Sequence, residues 1–402
     1  MKILVLRTLL VVTMGISFFA SHAIAGSGGI SEMTSKERLG QLLYFDQDLS
    51  IYKNQACASC HFPPAFVDPA NAADPANNVV SLGSDVTLNG GRNAPSAGYA
   101  AFSPFFHWDP VEGLYVGGQF WDGRANTLAD QAKGPFLNPV EMAMPSKDFV
   151  LKRIASHRNS NRAEYEILWE QVYGVRLKQL RDPESDVEVN ALYDMVADAI
   201  AAFEKTRFFS PFTSKFDYYL AGEAELTDQE LNGLALFEGK AQCNACHPSE
   251  PLMAPGGGMM PPLFTDYTYD NIGVPKSENP LIVDNPVDLG LGGRPDIAAK
   301  DPEGAEIGKH KVMSLRNIAA TPPYAHNGYF ATLEDVVHFY NTRDVADAGW
   351  PAPEVTQNVN TDELGNLGLT AEEEAAIVAF LKTLTDGYSD KPIYDFPSLP
   401  FP

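Results

Sequence analysis

The sequence predicts a mostly α-helical chain built from two related helical units, and three observations carry that reading. The pattern Cys57-Ala58-Ser59-Cys60-His61 recurs as Cys243-Asn244-Ala245-Cys246-His247. A Leu-rich segment opening on glycine precedes each copy, Gly40-Gln41-Leu42-Leu43-Tyr44-Phe45 before the first and Gly233-Leu234-Ala235-Leu236-Phe237-Glu238 before the second. Strand signals are few and short, so the repeat is read as one small helical unit used twice.

At the N-terminus, Lys2 and Arg7, an apolar stretch over residues 9–20 and Ala23-Ile24-Ala25 before Gly26 follow the order of a cleaved secretory signal. The apolar stretch is too short to favour a permanent membrane helix, although an uncleaved anchor is the alternative. No later stretch approaches membrane length, so the mature chain is expected to be soluble and exported, not an integral membrane protein. Residues 26–209 form the first expected domain and 210–402 the second, with a boundary at Ser210-Pro211. Residues 187–208 carry an apolar helical period, and Thr227-Asp228-Gln229-Glu230 reads as a capping box opening the second Leu-rich helix. Gly-, Pro- and Asn-rich tracts over 71–96 and 254–293 read as ordered loops around cofactors or as surface excursions.

An exported chain often pairs its cysteines in disulfides, but here the four cysteines are used up by two C-x-x-C-H copies. In that pattern the two thiols form thioethers to haem vinyl groups, and the adjacent histidine is the proximal iron ligand. One copy alone could be a disulfide loop or a zinc half-site. Two copies predict two covalently bound haems c, one in each of two cytochrome c-like domains: Cys57, Cys60 and His61 for one, Cys243, Cys246 and His247 for the other. The formal charge of -23, which becomes -25 without residues 1–25, argues against nucleic acid and suits basic partners.

Over nearly the whole mature length the chain resembles the bacterial dihaem cytochrome c peroxidases. The segments that carry the likeness are Arg92-Asn93-Ala94-Pro95-Ser96, Gly118-Gln119-Phe120-Trp121-Asp122-Gly123-Arg124, the stretch from Gln131 through Pro135 to Glu141-Met142, Ser314-Leu315-Arg316-Asn317, Thr321-Pro322-Pro323-Tyr324-Ala325-His326-Asn327-Gly328 and Thr332-Leu333-Glu334-Asp335-Val336-Val337. The export signal at the N-terminus points to a periplasmic location, and the resemblance implies hydrogen peroxide as a substrate. It implies that Trp121 lies between the haems and relays electrons; without that context a tryptophan reads as a core aromatic. It also implies that Glu141 is the distal acid–base group of the first, peroxidatic haem, with Gln131 and Pro135 lining the same pocket. Breaking a peroxide O–O bond heterolytically requires a proton moved from the inner to the outer oxygen, which a positioned carboxylate can do.

The departures narrow the branch. Ordinary family members place a displaceable histidine between the first motif and the Arg-Asn segment, and here none occurs between His61 and Asn93. The first haem is therefore expected to be open without reductive activation, with His107 the rival ligand. At the second haem, where ordinary members supply methionine, this chain reads His338-Phe339-Tyr340-Asn341, and Tyr340 takes the ligand position as in MauG-like members; His338 and Met313 are the competitors. Asn93, Thr321 and Pro323 resemble the ligands of an interdomain calcium ion, which accepts neutral oxygen donors and waters. The expected function is a MauG-like oxidant that uses peroxide and a high-valent state of the haem pair to oxidise a protein partner, with that partner's tryptophans as the residues modified. A peroxide-scavenging cytochrome c peroxidase fed by a small redox protein, and a non-enzymatic electron-transfer cytochrome, are the alternatives.

Overall fold

The computed structural model describes residues 33–253 and 259–389; the proposed signal segment and its cleavage point lie outside them. The chain is mostly helical. Among the described residues the strands are three short antiparallel pairs, His107–Asp109 with Leu114–Val116, Leu252–Met253 with Met259–Met260, and Tyr269–Asp270 with His310–Lys311. Among the described residues no helix is long and apolar enough to cross a membrane.

The internal repeat has a physical counterpart. Helix Ser35–Phe45 opens on a capping box in which Thr34 and Glu37 satisfy each other's backbone N–H, and helix Asp228–Glu238 opens on the same device from Thr227 and Glu230, as the sequence indicates. Each then crosses a later helix at its glycine. A Cβ on Gly40 would stand 1.9 Å from the Ala199 carbonyl oxygen and 2.8 Å from the Phe203 Cβ. A Cβ on Gly233 would stand 1.9 Å from the Ala376 carbonyl oxygen and 2.9 Å from the Phe380 Cβ. The partner helices, Asp186–Glu204 and Ala371–Lys382, thus present Ala-x-x-x-Phe to glycine in both halves. Gly40→Ala or Gly233→Ala should cost about 3 kcal/mol, because the new methyl meets backbone and only separation of the helices relieves it. A fall below about 1 kcal/mol in urea unfolding would show that the helices at the crossing can part without cost.

Two main apolar clusters result. One joins the Ser35–Phe45 and Asp186–Glu204 helices around Leu43, Trp169 and Phe203, and the other joins Asp228–Glu238 and Ala371–Lys382 around Phe237, Phe264 and Phe380. The helix expected over 187–208 runs from Asp186 to Glu204. Ser185 caps it one residue early, while Phe208 and Phe209 fold back to pack on the Phe203 ring at 5.6 and 5.1 Å, which ends it. Ser210 is buried, and its neighbours Phe209 and Phe212 belong to different apolar clusters.

Candidate functional site

The first motif closes one helical turn, Cys57–Cys60, and the His61 N–H donates to the Cys57 carbonyl. The His61 ring is held from behind, with Nδ1 3.3 Å from the Phe66 carbonyl and the Pro95 carbonyl as a further partner, while the Tyr44 hydroxyl donates to the His61 carbonyl at 2.8 Å. In the second motif His247 Nδ1 lies 2.7 Å from the Phe264 carbonyl. A proton kept on Nδ1 leaves the Nε2 lone pair free for iron. Burial lowers the His61 pKa and brings that of His247 down to about 4, so both rings are neutral, the ligand form. Both acceptors are phenylalanines with left-handed backbone, φ 56° at Phe66 and 53° at Phe264, a conformation uncommon for bulky residues.

All four cysteines are free, and burial pushes their thiols up, to about 12 at Cys60, Cys243 and Cys246. Unpaired and in the thiol form, they are available for thioether formation. The donor set at each motif, two thiols and one neutral imidazole oriented from behind, fits a haem.

A cavity of about 310 Å³ adjoins the second motif, and Cys243, Cys246, His247, Met313, Tyr340 and Trp121 all line it. Helix Leu333–Thr342 carries Leu333, Val336, Val337 and Tyr340 to the cavity at helical spacing. Burial raises the Tyr340 phenol well above its ordinary range, and the neighbouring Cys246 and Cys243 add to the effect. His338, two positions away, points elsewhere: its side chain is 52% exposed and its Nδ1 lies 3.0 Å from Glu374. Of the competitors, only Met313 shares the cavity with Tyr340.

Near the first motif, Gln131 and Pro135 stand one turn apart on helix Leu128–Leu137, and the Met142 N–H donates to the Pro135 carbonyl at 3.1 Å. Glu141 follows in a tight turn: its N–H donates to the Asn138 carbonyl, its carbonyl accepts from the Ser84 N–H, and its carboxylate accepts from Asn138 Nδ2 at 2.6 Å. Its charge is felt at both Cys57 and Cys60, which places it beside the first motif. Burial raises its pKa, against the opposing effects of Asn138 and Arg124. His107 is exposed, bonds the Phe105 carbonyl and lines a separate cleft with Trp108 and Arg294.

The Asn93–Pro95 segment runs between the two sites, since it lines the second cavity while the Pro95 carbonyl faces His61. The Trp121 indole Nε1–H donates to the Asn93 carbonyl at 2.8 Å. Asn93 Nδ2 in turn donates to the Pro323 carbonyl at 2.7 Å, and the Thr321 hydroxyl donates to Ile318. Asn93 and Pro323 are thus in contact, and Thr321, two residues before Pro323, lines the same cavity. An ion among them would require the Asn93 amide turned, oxygen inward.

Against known proteins, residues 34–225 match the family model for di-haem cytochrome c peroxidase. The methylamine utilization protein MauG of Paracoccus denitrificans is 40% identical over 365 residues, 87% of this chain and 88% of that protein. The chain belongs to the di-haem cytochrome c peroxidase family. Cytochrome c551 peroxidase of Nitrosomonas europaea is 30% identical over 98% of this chain and 95% of its own length. Among solved structures, the diheme peroxidase BthA of Burkholderia thailandensis superposes with a TM-score of 0.72 at 31% identity, covering 89% of this chain and 87% of that one. The protein is therefore a peroxidase-type oxidoreductase of a family that uses two haems.

Sequence reasoning missed Glu204. It follows Phe203 as Leu381 follows Phe380, and Leu381 lines the second cavity. A carboxyl thus replaces an apolar group at the equivalent place beside the first motif, where its charge reaches Tyr44 and Cys57 and its Oε2 has no partner. Burial pushes its pKa up to about 8. Between the ordinary carboxyl range and that value the folded chain holds a proton that the unfolded chain has lost, so this group makes stability fall as pH rises through the window. Glu204→Gln should flatten that fall, worth roughly 4 kcal/mol across it. Unfolding midpoints from pH 5 to 9 check this, and equal slopes in both proteins would refute it.

Proposed function

We propose that this protein is a MauG-like oxidant that takes hydrogen peroxide at the first motif and oxidises a protein partner, with that partner's tryptophan side chains as the target class. The observation that carries the reading is Tyr340 inside the His247 cavity, where a peroxidase of the ordinary kind would offer methionine. In this reading each apolar cluster is the core of a cytochrome c-like domain, residues 26–209 and 210–402, exported to the periplasm after loss of residues 1–25. Cys57 and Cys60, and Cys243 and Cys246, would hold the two haems through thioethers, and His61, His247 and Tyr340 would be the side chains offered to their irons. When bound, the haems supply the redox-active iron. The chain supplies the rest: Glu141 moves a proton between the peroxide oxygens, Gln131 and Pro135 shape the space around it, and Trp121 carries electrons along the wall between the sites. Asn93, Thr321 and Pro323 hold calcium on that wall.

Among the described residues no second histidine stands at the first motif: His107 lies in another cleft, His157 is exposed, His310 and His326 line the His247 cavity and His338 is turned to Glu374. The oxidised protein should therefore react with peroxide without prior reduction, and mixing it with peroxide in a stopped-flow spectrometer checks this. If the oxidised protein stays inert until one electron is added, the reading fails in favour of a scavenging peroxidase fed by a small redox protein. Denaturing gels stained for haem should show covalent attachment that halves when Cys243 and Cys246 are both replaced by alanine.

A further inference from the structure

Trp121 is held at two points. Its indole Nε1–H donates to the Asn93 carbonyl at 2.8 Å, and its own carbonyl accepts from the Lys311 N–H at 2.8 Å. The residues flanking those contacts are themselves joined. Arg92, next to Asn93, forks onto Asp288 with Nε to Oδ2 at 2.6 Å and Nη2 to Oδ1 at 2.7 Å. Asp288 Oδ2 lies 3.5 Å from Nε2 of His310, the neighbour of Lys311. The path thus runs from Trp121 through Asn93 and Arg92 to Asp288, and on across a 3.5 Å approach that is not a hydrogen bond to His310, whose neighbour Lys311 bonds back to Trp121. A strut crosses it, because Arg92 Nη1 also bonds Asp122 Oδ2 at 2.7 Å, and Asp122 is the residue after Trp121.

We infer that Arg92 is the positioning residue for Trp121, clamping Asp122 and Asp288 so that the indole is held in one orientation on the wall between the two haem sites. The guanidinium suits the task as an ammonium would not, since its planar fork satisfies Asp288 bidentately and keeps a third donor for Asp122. The three side chains are mostly buried, at 23%, 11% and 20% exposure for Arg92, Asp122 and Asp288. Burial pushes the Asp288 carboxyl up, but the two-point fork from Arg92 outweighs it and holds the group below the usual carboxylate range, so the clamp stays charged. The segments it ties lie 196 residues apart in the chain, so the orientation of Trp121 is set by the second half of the chain as well as by its own loop.

The inference rests on the reading of Trp121 as the relay, and the experiment separates the two. In the holoprotein, two quantities are measured besides activity: deuterium exchange of the Trp121 indole N–H, assigned by difference against Trp121→Phe, and the rate of electron redistribution between the haems after one-electron photoreduction. Arg92→Lys and Arg92→Gln should each speed indole exchange and slow redistribution by about tenfold, the scale of a small misplacement. Arg92→Gln combined with Asp122→Asn and Asp288→Asn removes the stranded charges, so it should recover the urea midpoint but not the redistribution rate. Wild-type exchange and redistribution in both single variants, or redistribution that recovers with stability in the triple variant, would overturn the clamp. If Trp121→Phe redistributes at the wild-type rate, the relay reading falls and the clamp with it. If Trp121→Phe is slow while the Arg92 variants are not, the clamp alone falls.

Discussion

Glu141→Gln is expected to slow the reaction of the oxidised protein with hydrogen peroxide by about 10²–10⁴-fold, the span of a lost acid–base group. The substitution is close to isosteric, and its amide oxygen can still accept from Asn138 Nδ2, the contact that now holds the carboxylate at 2.6 Å. The Ser84 and Asn138 backbone contacts are untouched. What is lost is the proton that the carboxyl can take from the inner peroxide oxygen and return to the outer one. Burial raises the pKa of Glu141 while Asn138 and Arg124 restrain it, so removing a restraint should move the pH profile rather than abolish the rate. Asn138→Ala is accordingly expected to shift the acid limb of the profile to higher pH, with a much smaller loss at the optimum. Stopped-flow rates against pH for both variants test this, and a Glu141→Gln enzyme within a few-fold of wild type would remove Glu141 from the chemistry.

Local signals in the chain foretold local features. The Thr227-to-Glu230 box opens a helix because both partners lie within one turn. Tyr340 was singled out by resemblance alone, and the structure adds that Leu333, Val336 and Val337 share its face at the cavity. The paired glycines were visible as a repeat, but not their reason, since the carbonyls of Ala199 and Ala376 that exclude a side chain there sit on helices far along the chain. The two carbonyls that hold the His61 and His247 rings were not legible at all. Phe66 lies five residues after its histidine and Phe264 lies 17 after its own, so one function is met through loops of unequal length. Glu204 becomes visible only when its helix is matched to Leu381 through the glycine crossings, and the Arg92–Asp288 pair only when the chain has folded.

Replacing Tyr340 by methionine is expected to raise the reduction potential of the second haem, as a large step within the span of about 0.8 V that axial ligands command. A phenolate oxygen is a hard anionic donor that favours oxidised iron, whereas a thioether favours reduced iron. Helix Leu333–Thr342 already directs this position into the cavity, with Val336 and Val337 packed beside it and the Tyr340 carbonyl tied to the Gly365 N–H at 2.7 Å, so methionine should arrive at the same place without moving the backbone. His338 cannot substitute, being turned to Glu374, while Met313 lines the same cavity and is the group that could take over. Tyr340→Phe therefore serves as the second variant, because it leaves Met313 free to bind or not. In the wild type, resonance Raman should show an iron–phenolate band that both variants lack. Loss of the phenolate should shorten the life of the peroxide-oxidised protein and impair oxidation of a slow macromolecular partner more than turnover of a small, fast donor, since only the slow partner requires oxidising equivalents to be held. If the band is absent from the wild type, and Met313→Leu shifts the potential while Tyr340→Phe does not, the ligand is Met313 and the chain works as a scavenging peroxidase.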